Sequence, residues 1–298
     1  MSDPEDEVAA QGVRAATGTL RRPCHPAAPP RVPPLPTTPV AWWAVLQDEA
    51  ARLGDAEPVL APFLEGAIIR HPTFATGLAG YLASKLACHE ITAPALAEIA
   101  GEALRADPAI VDAAVADLVA SSERNPAYLD FLTPFLYFKG FQALQWHRVG
   151  HWLWEHQRTG LATYLQSRVS EIFAVDIHPA ARIGWGIFID HATGLVVGET
   201  AVVGADVSIM QDVTLGGTGK ESGDRHPKVG DGVLIGAGAK ILGNITIGAC
   251  AKIGAGSVVL RAVPPHTTAT GVPARIVGPA SEQIPAESMN QVFPEARE

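Results

Sequence analysis

The chain is poor in the residues that build disulfide scaffolds or zinc ribbons. Its 298 residues include three cysteines, Cys24, Cys88 and Cys250, which lie far apart and form no CxxC pair; that argues against both architectures. No apolar run approaches the length of a bilayer crossing. Positive charge is in the minority, 22 Lys and Arg against 31 Asp and Glu for a net charge of −9, so nucleic acid is not an expected partner. The opening Ser2-Asp3-Pro4-Glu5-Asp6-Glu7 is too acidic for a secretory or organellar leader. A GxxxxGK[ST] phosphate loop is missing as well. These absences point to a soluble cytoplasmic protein, long enough for two domains.

The abundant feature is a count in sixes. Ile177, Ile183 and Ile189 form one series, Val197, Val203, Ile209 and Leu215 a second, and Val229, Ile235, Ile241, Ile247, Ile253 and Val259 a third. Glycine follows many of them, as at Gly184, Gly198, Gly204, Gly230, Gly236, Gly248 and Gly254. An amphipathic helix repeats near 3.6 and a half-buried strand at 2. A period of six predicts a parallel β-helix of hexapeptide repeats, each a short strand with its aliphatic residue inward. One repeat cannot bury its own side chain, so stacked coils share a continuous core.

The count slips twice. Ile189 and Val197 are eight apart, with Asp190-His191-Ala192-Thr193-Gly194 between them. Leu215 and Val229 are fourteen apart, read as two repeats plus two residues, and enclose Gly216-Gly217-Thr218-Gly219-Lys220 and Asp224-Arg225-His226-Pro227-Lys228. Surplus residues in a solenoid bulge at one face, often the binding face, and most of the reactive side chains collect at these slips.

Before the repeats, residues 1–39 read as an unstructured tail, with about half the positions from Pro23 to Pro39 being proline. Residues 40–174 read as a helical domain, 175–276 as the β-helix and 277–298 as a C-terminal tail. Asp107-Pro108 is a capping Asp followed by Pro at the first turn of a helix. The spacing of Leu136, Phe138, Phe141, Leu144, Val149, Trp152 and Leu153 predicts one long helix from Thr133 to His156. His147, His151 and His156 on it read as packing or surface histidines. A metal pair of His147 and His151 lacks the zincin acid.

Among the slip residues His191 is a candidate general base. Asp176 precedes it by fifteen residues, close to one coil of about eighteen, so a carboxylate could meet the imidazole from the neighbouring coil. A carboxylate on one ring nitrogen fixes the tautomer and frees the other to take an alcohol proton. The alternative is a turn-capping Asp and a corner histidine. His178, His191 and His226 raise a metal reading, but lack the two-histidine, five-apart spacing used by zinc-binding β-helices, and no metal is expected. Lys220, Arg225, Lys228, Lys240, Lys252 and Arg261 gather in this half and suggest a polyanionic ligand. Cys250 sits in a small-residue corner without a base nearby in sequence, a poor setting for a nucleophile.

At these residues the chain resembles the serine acetyltransferase family. The resemblance rests on Asp176-Ile-His-Pro-Ala-Ala, Asp190-His-Ala-Thr-Gly, Val197-Gly-Glu-Thr-Ala, Thr214-Leu-Gly-Gly-Thr-Gly-Lys, Gly223-Asp-Arg-His-Pro-Lys and Gly271-Val-Pro-Ala-Arg. In the helical half it rests on Leu136-Tyr-Phe-Lys-Gly-Phe and His147-Arg-Val-Gly-His-Trp-Leu-Trp. It spans about Trp43 to Val277. It implies an α+β chain, an all-helical N-terminal domain followed by a left-handed parallel β-helix, in trimers paired as hexamers with active sites between subunits. It also implies acetyl transfer from acetyl-CoA, as co-substrate without a resident cofactor, to L-serine. By the same resemblance His191 is the base and Asp176 orients it. Asp190, Arg225 and His226 hold the amino acid, Gly217, Thr218, Ala237 and Lys252 line the coenzyme A groove, and cysteine is a feedback inhibitor.

Two positions depart from the family pattern. Arg124-Asn125-Pro126 stands where the family usually has Arg-Asp-Pro, with the Asp reaching the amino acid. The chain ends Pro294-Glu-Ala-Arg-Glu298 rather than in isoleucine, so docking of O-acetylserine sulfhydrylase through this terminus is not expected. Rival readings are an acetyltransferase for sugar or drug hydroxyls, opposed by the zwitterion-matching Asp190 and Arg225; a silent scaffold, opposed by Asp176 with His191; and a zinc lyase, opposed by the histidine spacing.

Overall fold

The structure, a computed structural model, describes residues 38–292 except 129, 220 and 221. The proline-rich tail through residue 37, with Cys24, lies outside the described residues, as do Lys220 and the terminal residues 293–298.

The helical half comprises α1 (Pro39–Ala56), α2 (Ala61–Leu64), α3 (Phe74–Leu86), α4 (Ala93–Ala106), α5 (Pro108–Glu123), α6 (Leu132–Tyr137), α7 (Lys139–Glu155) and α8 (Thr159–Phe173). Asp107 caps α5 as expected, its carboxylate accepting from Ala109 N–H at 3.1 Å. The long helix expected from Thr133 to His156 is instead two. Phe138 takes an extended backbone (ψ 104°) between α6 and α7. The apolar spacing continues across the break because both pieces pack on one core, so the pattern alone could not reveal it. The break lets α7 start flush against the β-helix: a Cβ on Gly140 would lie 2.2 Å from the Ile189 carbonyl oxygen.

From Val175 the chain winds as a three-sided parallel β-helix. Sheet A stacks β1 (Val175–Ile177), β4 (Leu195–Val197), β7 (Thr214–Gly216), β10 (Lys240–Leu242) and β13 (Val258–Val259). Sheet B stacks β2 (Arg182–Ile183), β5 (Val202–Val203), β8 (Lys228–Val229) and β11 (Thr246–Ile247). Sheet C stacks β3 (Phe188–Ile189), β6 (Ser208–Ile209), β9 (Leu234–Ile235) and β12 (Lys252–Ile253), then β14 (Thr267–Gly271) and β15 (Ala274–Pro279). The aliphatic residue of every hexad stands in a strand and all but Ile183 are buried. A second inward position two residues earlier completes the core, as at Leu195, Val207, Val213, Val233 and Ala239.

Strand register explains both slips. Ile177 pairs with Val197, so the first coil holds two surplus residues. Val203 pairs with Val229 and β7 is followed directly by β8 on the next face. The second slip is therefore one repeat plus eight residues of loop, not two repeats plus two: among the described residues no strand forms between β7 and β8.

The halves meet through a buried carboxylate. Asp117 of α5 accepts from Arg148 Nε (2.9 Å) and Nη2 (2.7 Å), Gln145 Nε2 (3.0 Å) and Ile187 N–H (2.9 Å), while Arg148 also donates to the Gly184 carbonyl at 2.6 Å. After β15 the chain folds back across sheet C through α9 (Pro285–Ser288), where Ser208 Oγ donates to the Ala286 carbonyl at 2.8 Å.

Candidate active site

The candidate residues fall on two corners of the prism. At the C–A corner, between β3 and β4, the two surplus residues are spent on consecutive left-handed conformations, His191 (φ 56°) and Ala192 (φ 60°). Each costs roughly 1–2 kcal/mol for a residue with a Cβ, and such strain concentrates at functional sites. The kink leaves the His191 side chain 72% exposed, Nε2 lying 3.7 Å from Asp190 Oδ2. Asp190 is mostly buried, and burial pushes its carboxyl pKa up while His191 opposes the shift. Lys139, at the start of α7, donates to the Thr193 hydroxyl and braces this corner.

At the A–B corner, residues from three levels converge. Arg225 Nη2 pairs with Glu199 Oε2 at 2.7 Å, and this bond holds the Glu199 carboxyl below its ordinary range. His226 lies on Gly198, where a Cβ would come within 2.1 Å of the ring. His178 stands on the preceding level with its ring edge-on to Trp154, centroids 5.0 Å apart, and Nδ1 accepting from Ala180 N–H. Burial lowers the pKa of both histidines; Arg225 and Lys228 lower His226 further. Both rings are therefore neutral hydrogen-bonding groups at pH 7.

The remaining candidates are dispersed. Asp176 pairs in register with Val196, because the first coil is longer than eighteen residues, and its Oδ1 accepts from Gln166 Nε2 at 2.7 Å; the carboxylate beside His191 is Asp190. Gly217 and Thr218 open the A–B loop, and Ala237 sits at the C–A corner, its carbonyl accepting from Gly256 N–H. Lys252 lies on sheet C beneath the C-terminal segment, 1% exposed, with Nζ 2.7 Å from the Val292 carbonyl and 3.6 Å from Glu282 Oε1. Asn125 turns its Oδ1 to Ala127 N–H at 2.9 Å. Arg124 is buried between Asp206 and Ser208.

His147 is buried, and its pKa is well below the ordinary histidine value because of that burial and the charges of His151 and Arg148. His151 Nδ1 donates to the Pro179 carbonyl, and His156 stacks on Trp152. Among the described residues no three His, Cys, Asp or Glu side chains form a cluster that could hold a metal, and no helix is long and apolar enough to cross a membrane. Sequence reasoning missed Glu199, Thr200, Lys139 and Gly140. Glu199 and Thr200 stood in view within Val197-Gly-Glu-Thr-Ala, but only the fold places them beside Arg225 and His226.

A hexapeptide β-helix carrying an exposed histidine at a strained corner, with cations on another, defines a hexapeptide-repeat acyltransferase. Residues 42–146 match the family described as serine acetyltransferase, N-terminal, and residues 226–261 match the bacterial transferase hexapeptide family. The chain is 56% identical over 251 residues to the serine acetyltransferase of Salmonella typhimurium, covering 84% of this chain and 92% of that protein. Three solved serine acetyltransferases share the fold. One in complex with cysteine has a TM-score of 0.85 at 53% identity, covering 86% of this chain and 100% of that one. One from Brucella abortus in complex with coenzyme A has a TM-score of 0.80 at 51% identity, covering 82% and 97%. The soybean enzyme complexed with serine has a TM-score of 0.79 at 53% identity, covering 82% and 100%. The chain belongs to the serine acetyltransferase family and is an acyltransferase.

Proposed function

We propose that this chain transfers the acetyl group of acetyl-CoA to the hydroxyl of L-serine, giving O-acetyl-L-serine and coenzyme A, in the cytoplasm, as the first step of cysteine biosynthesis. The relatives solved with serine and with coenzyme A support the two substrates, and the one solved with cysteine supports cysteine as an inhibitor. The observation that carries the reading is the exposed His191 beside the mostly buried Asp190, with the Arg225–His226 pair, Arg225 held by Glu199, placed for a carboxylate. Arg225 forms a charge-assisted contact with the serine carboxylate, His226 donates to the same group, and Asp190 receives the ammonium. His191 takes the hydroxyl proton as serine oxygen bonds to the thioester carbon. Backbone N–H groups near Gly217 stabilise the oxyanion. The carbon–sulfur bond then breaks and His191 returns the proton to the leaving sulfur, so no acyl-enzyme forms.

Within one chain the two groups occupy different corners of sheet A, and no bond joins them among the described residues. A contact between the C–A corner of one protomer and the A–B corner of the next would assemble the site. Such a head-to-tail contact closes as a ring, and a three-sided prism suits a trimer; helical domains joining two trimers would give the hexamer. Asp176, at the edge of that contact, orients His191 in this reading. Gly217, Thr218 and Ala237 line the acetyl-CoA groove; Lys252 joins them only where the segment carrying Glu282 and Val292 lifts from sheet C. The test is thiol release from acetyl-CoA with L-serine against other hydroxyl acceptors. Serine should be preferred by orders of magnitude over sugars, and a sugar or drug acceptor turned over faster than serine would overturn the assignment.

A further inference from the structure

Among the described residues the loop between β7 and β8 forms no strand of its own, so something outside the ladder must fix the ring of His226. One hydroxyl does so. Thr200 Oγ1 lies 2.9 Å from His226 Nδ1, 3.0 Å from Arg225 N and 3.1 Å from His226 N. The two backbone N–H groups can only donate, so they fill the lone pairs of the hydroxyl and leave its proton to be shared between Nδ1 and the Asp224 carboxylate, which Lys228 and then this hydroxyl hold below its ordinary pKa. The Thr200 backbone N–H also donates to Nδ1, at 3.2 Å. A nitrogen that accepts from a backbone N–H carries no proton, which puts the ring proton of the neutral imidazole on Nε2.

We propose that Thr200 is a positioning residue for this reaction, whose hydroxyl fastens the Arg225–His226 loop to the preceding coil and, together with its own backbone N–H, fixes His226 as an Nε2–H donor. The proposal rests on the reading that His226 binds the amino-acid substrate. Among the described residues Nε2 has no protein partner, so its N–H is available to a carboxylate oxygen. Gly198 beneath the ring leaves the space the orientation needs, since any Cβ there would meet Cδ2 and Nε2. The charged and titratable groups facing His226 are Arg225, Lys228, Glu199 and His178, and burial together with the two cations keeps its pKa below the ordinary value. Two donors on Nδ1 act in the same direction, because they stabilise the neutral ring.

The experiment is long-range proton–nitrogen NMR of the ring-labelled full chain, with His226 assigned through His226→Gln, followed by steady-state kinetics. The parent should show His226 as the Nε2–H tautomer with a midpoint below 6.5. Thr200→Val keeps the backbone N–H but releases the Arg225–His226 backbone, so it should admit a share of the Nδ1–H tautomer, raise the midpoint and raise KM for serine roughly tenfold, the effect of one hydrogen bond, while KM for acetyl-CoA holds. Thr200→Ser should restore all three readouts. A parent His226 protonated on Nδ1 would overturn the proposal before any variant is made, and so would a Thr200→Val protein with the parent tautomer and KM, or a Thr200→Ser protein that fails to restore them. The tautomer is read without any acceptor, so a failure of serine as substrate would sink the functional reading and leave this measurement standing.

Discussion

His191 reaches solvent because two consecutive residues accept left-handed backbone, and a residue held there at a cost is expected to do something. His191→Ala should keep the oligomer size and lose about 10²–10⁴-fold of serine-dependent turnover; a variant within threefold of the parent would remove His191 from the base role. Asn125 is bonded to Ala127 N–H through an oxygen that aspartate also has, so Asn125→Asp should fold unchanged and add charge. Serine and cysteine should then bind about tenfold more tightly by calorimetry, since charged hydrogen bonds are roughly twice as strong as neutral ones, and equal affinities would show that position 125 does not touch the ligand. His147 gives the pH prediction. Its folded pKa is depressed below 6.5 by burial, so below that value the unfolded chain takes up a proton the folded chain refuses. Stability should fall as the pH drops from 7.5 to 5.5, by up to about 1.4 kcal/mol per pH unit, and His147→Phe should flatten that slope in urea titrations. The hexad residues were legible in the sequence because each repeats one physical demand, an aliphatic side chain in a closed core. Thr200 was not, because its partners lie about twenty-five residues away and meet it only through strand register.

Among the elements, the strands that carry the hexad residues were legible, whereas the β14–β15 hairpin, helix ends and loop length were not. The break at Phe138 obeys a tertiary demand: α7 must begin where Gly140 can touch the Ile189 carbonyl. Gly140→Ala would force α7 away from β3, and overpacking of this kind costs about 1–3 kcal/mol. A fall in the thermal midpoint with weakened activity is expected, because the same helix start carries Lys139 to Thr193; an unchanged midpoint would mean that α7 shifts freely at this contact. The second slip is ambiguous in sequence because fourteen residues fit a whole number of repeats almost as well as one repeat with a loop. Only the pairing of Val203 with Val229 separates the two.

For the whole molecule, the two-corner arrangement makes a quantitative prediction. His191→Ala and Arg225→Ala chains should each be nearly inactive alone. Unfolded together in equal amounts and reassembled, they should regain about a quarter of the parent activity, since a cyclic assembly draws the two halves of each site from neighbouring chains at random. No regain would place all of these residues in one chain's own site. The two-domain order was legible from composition and period. The way the domains join was not, because the Asp117 cluster draws its donors from α7 and from the start of β3 without any local motif.

A solenoid is one step from a fibre: identical parallel edges at its two ends would invite the next molecule to continue the stack. Here both ends are blunted on sheet C, and the first also on sheet A. At the first coil α8 lies against β1, and α5 and α7 lie against β3. At the last coil β15 turns back antiparallel to β14, with a register shift at Thr268/Ala269, so the edge it offers runs the wrong way for another coil and is irregular as well. Edges blunted in this manner resist edge-to-edge association. The same hairpin that finishes the fold thus works against end-to-end growth on sheet C. Truncation after Gly271 should give a particle that grows in light scattering with concentration, and a truncated chain that stays at the parent size would show that the hairpin is not the stop.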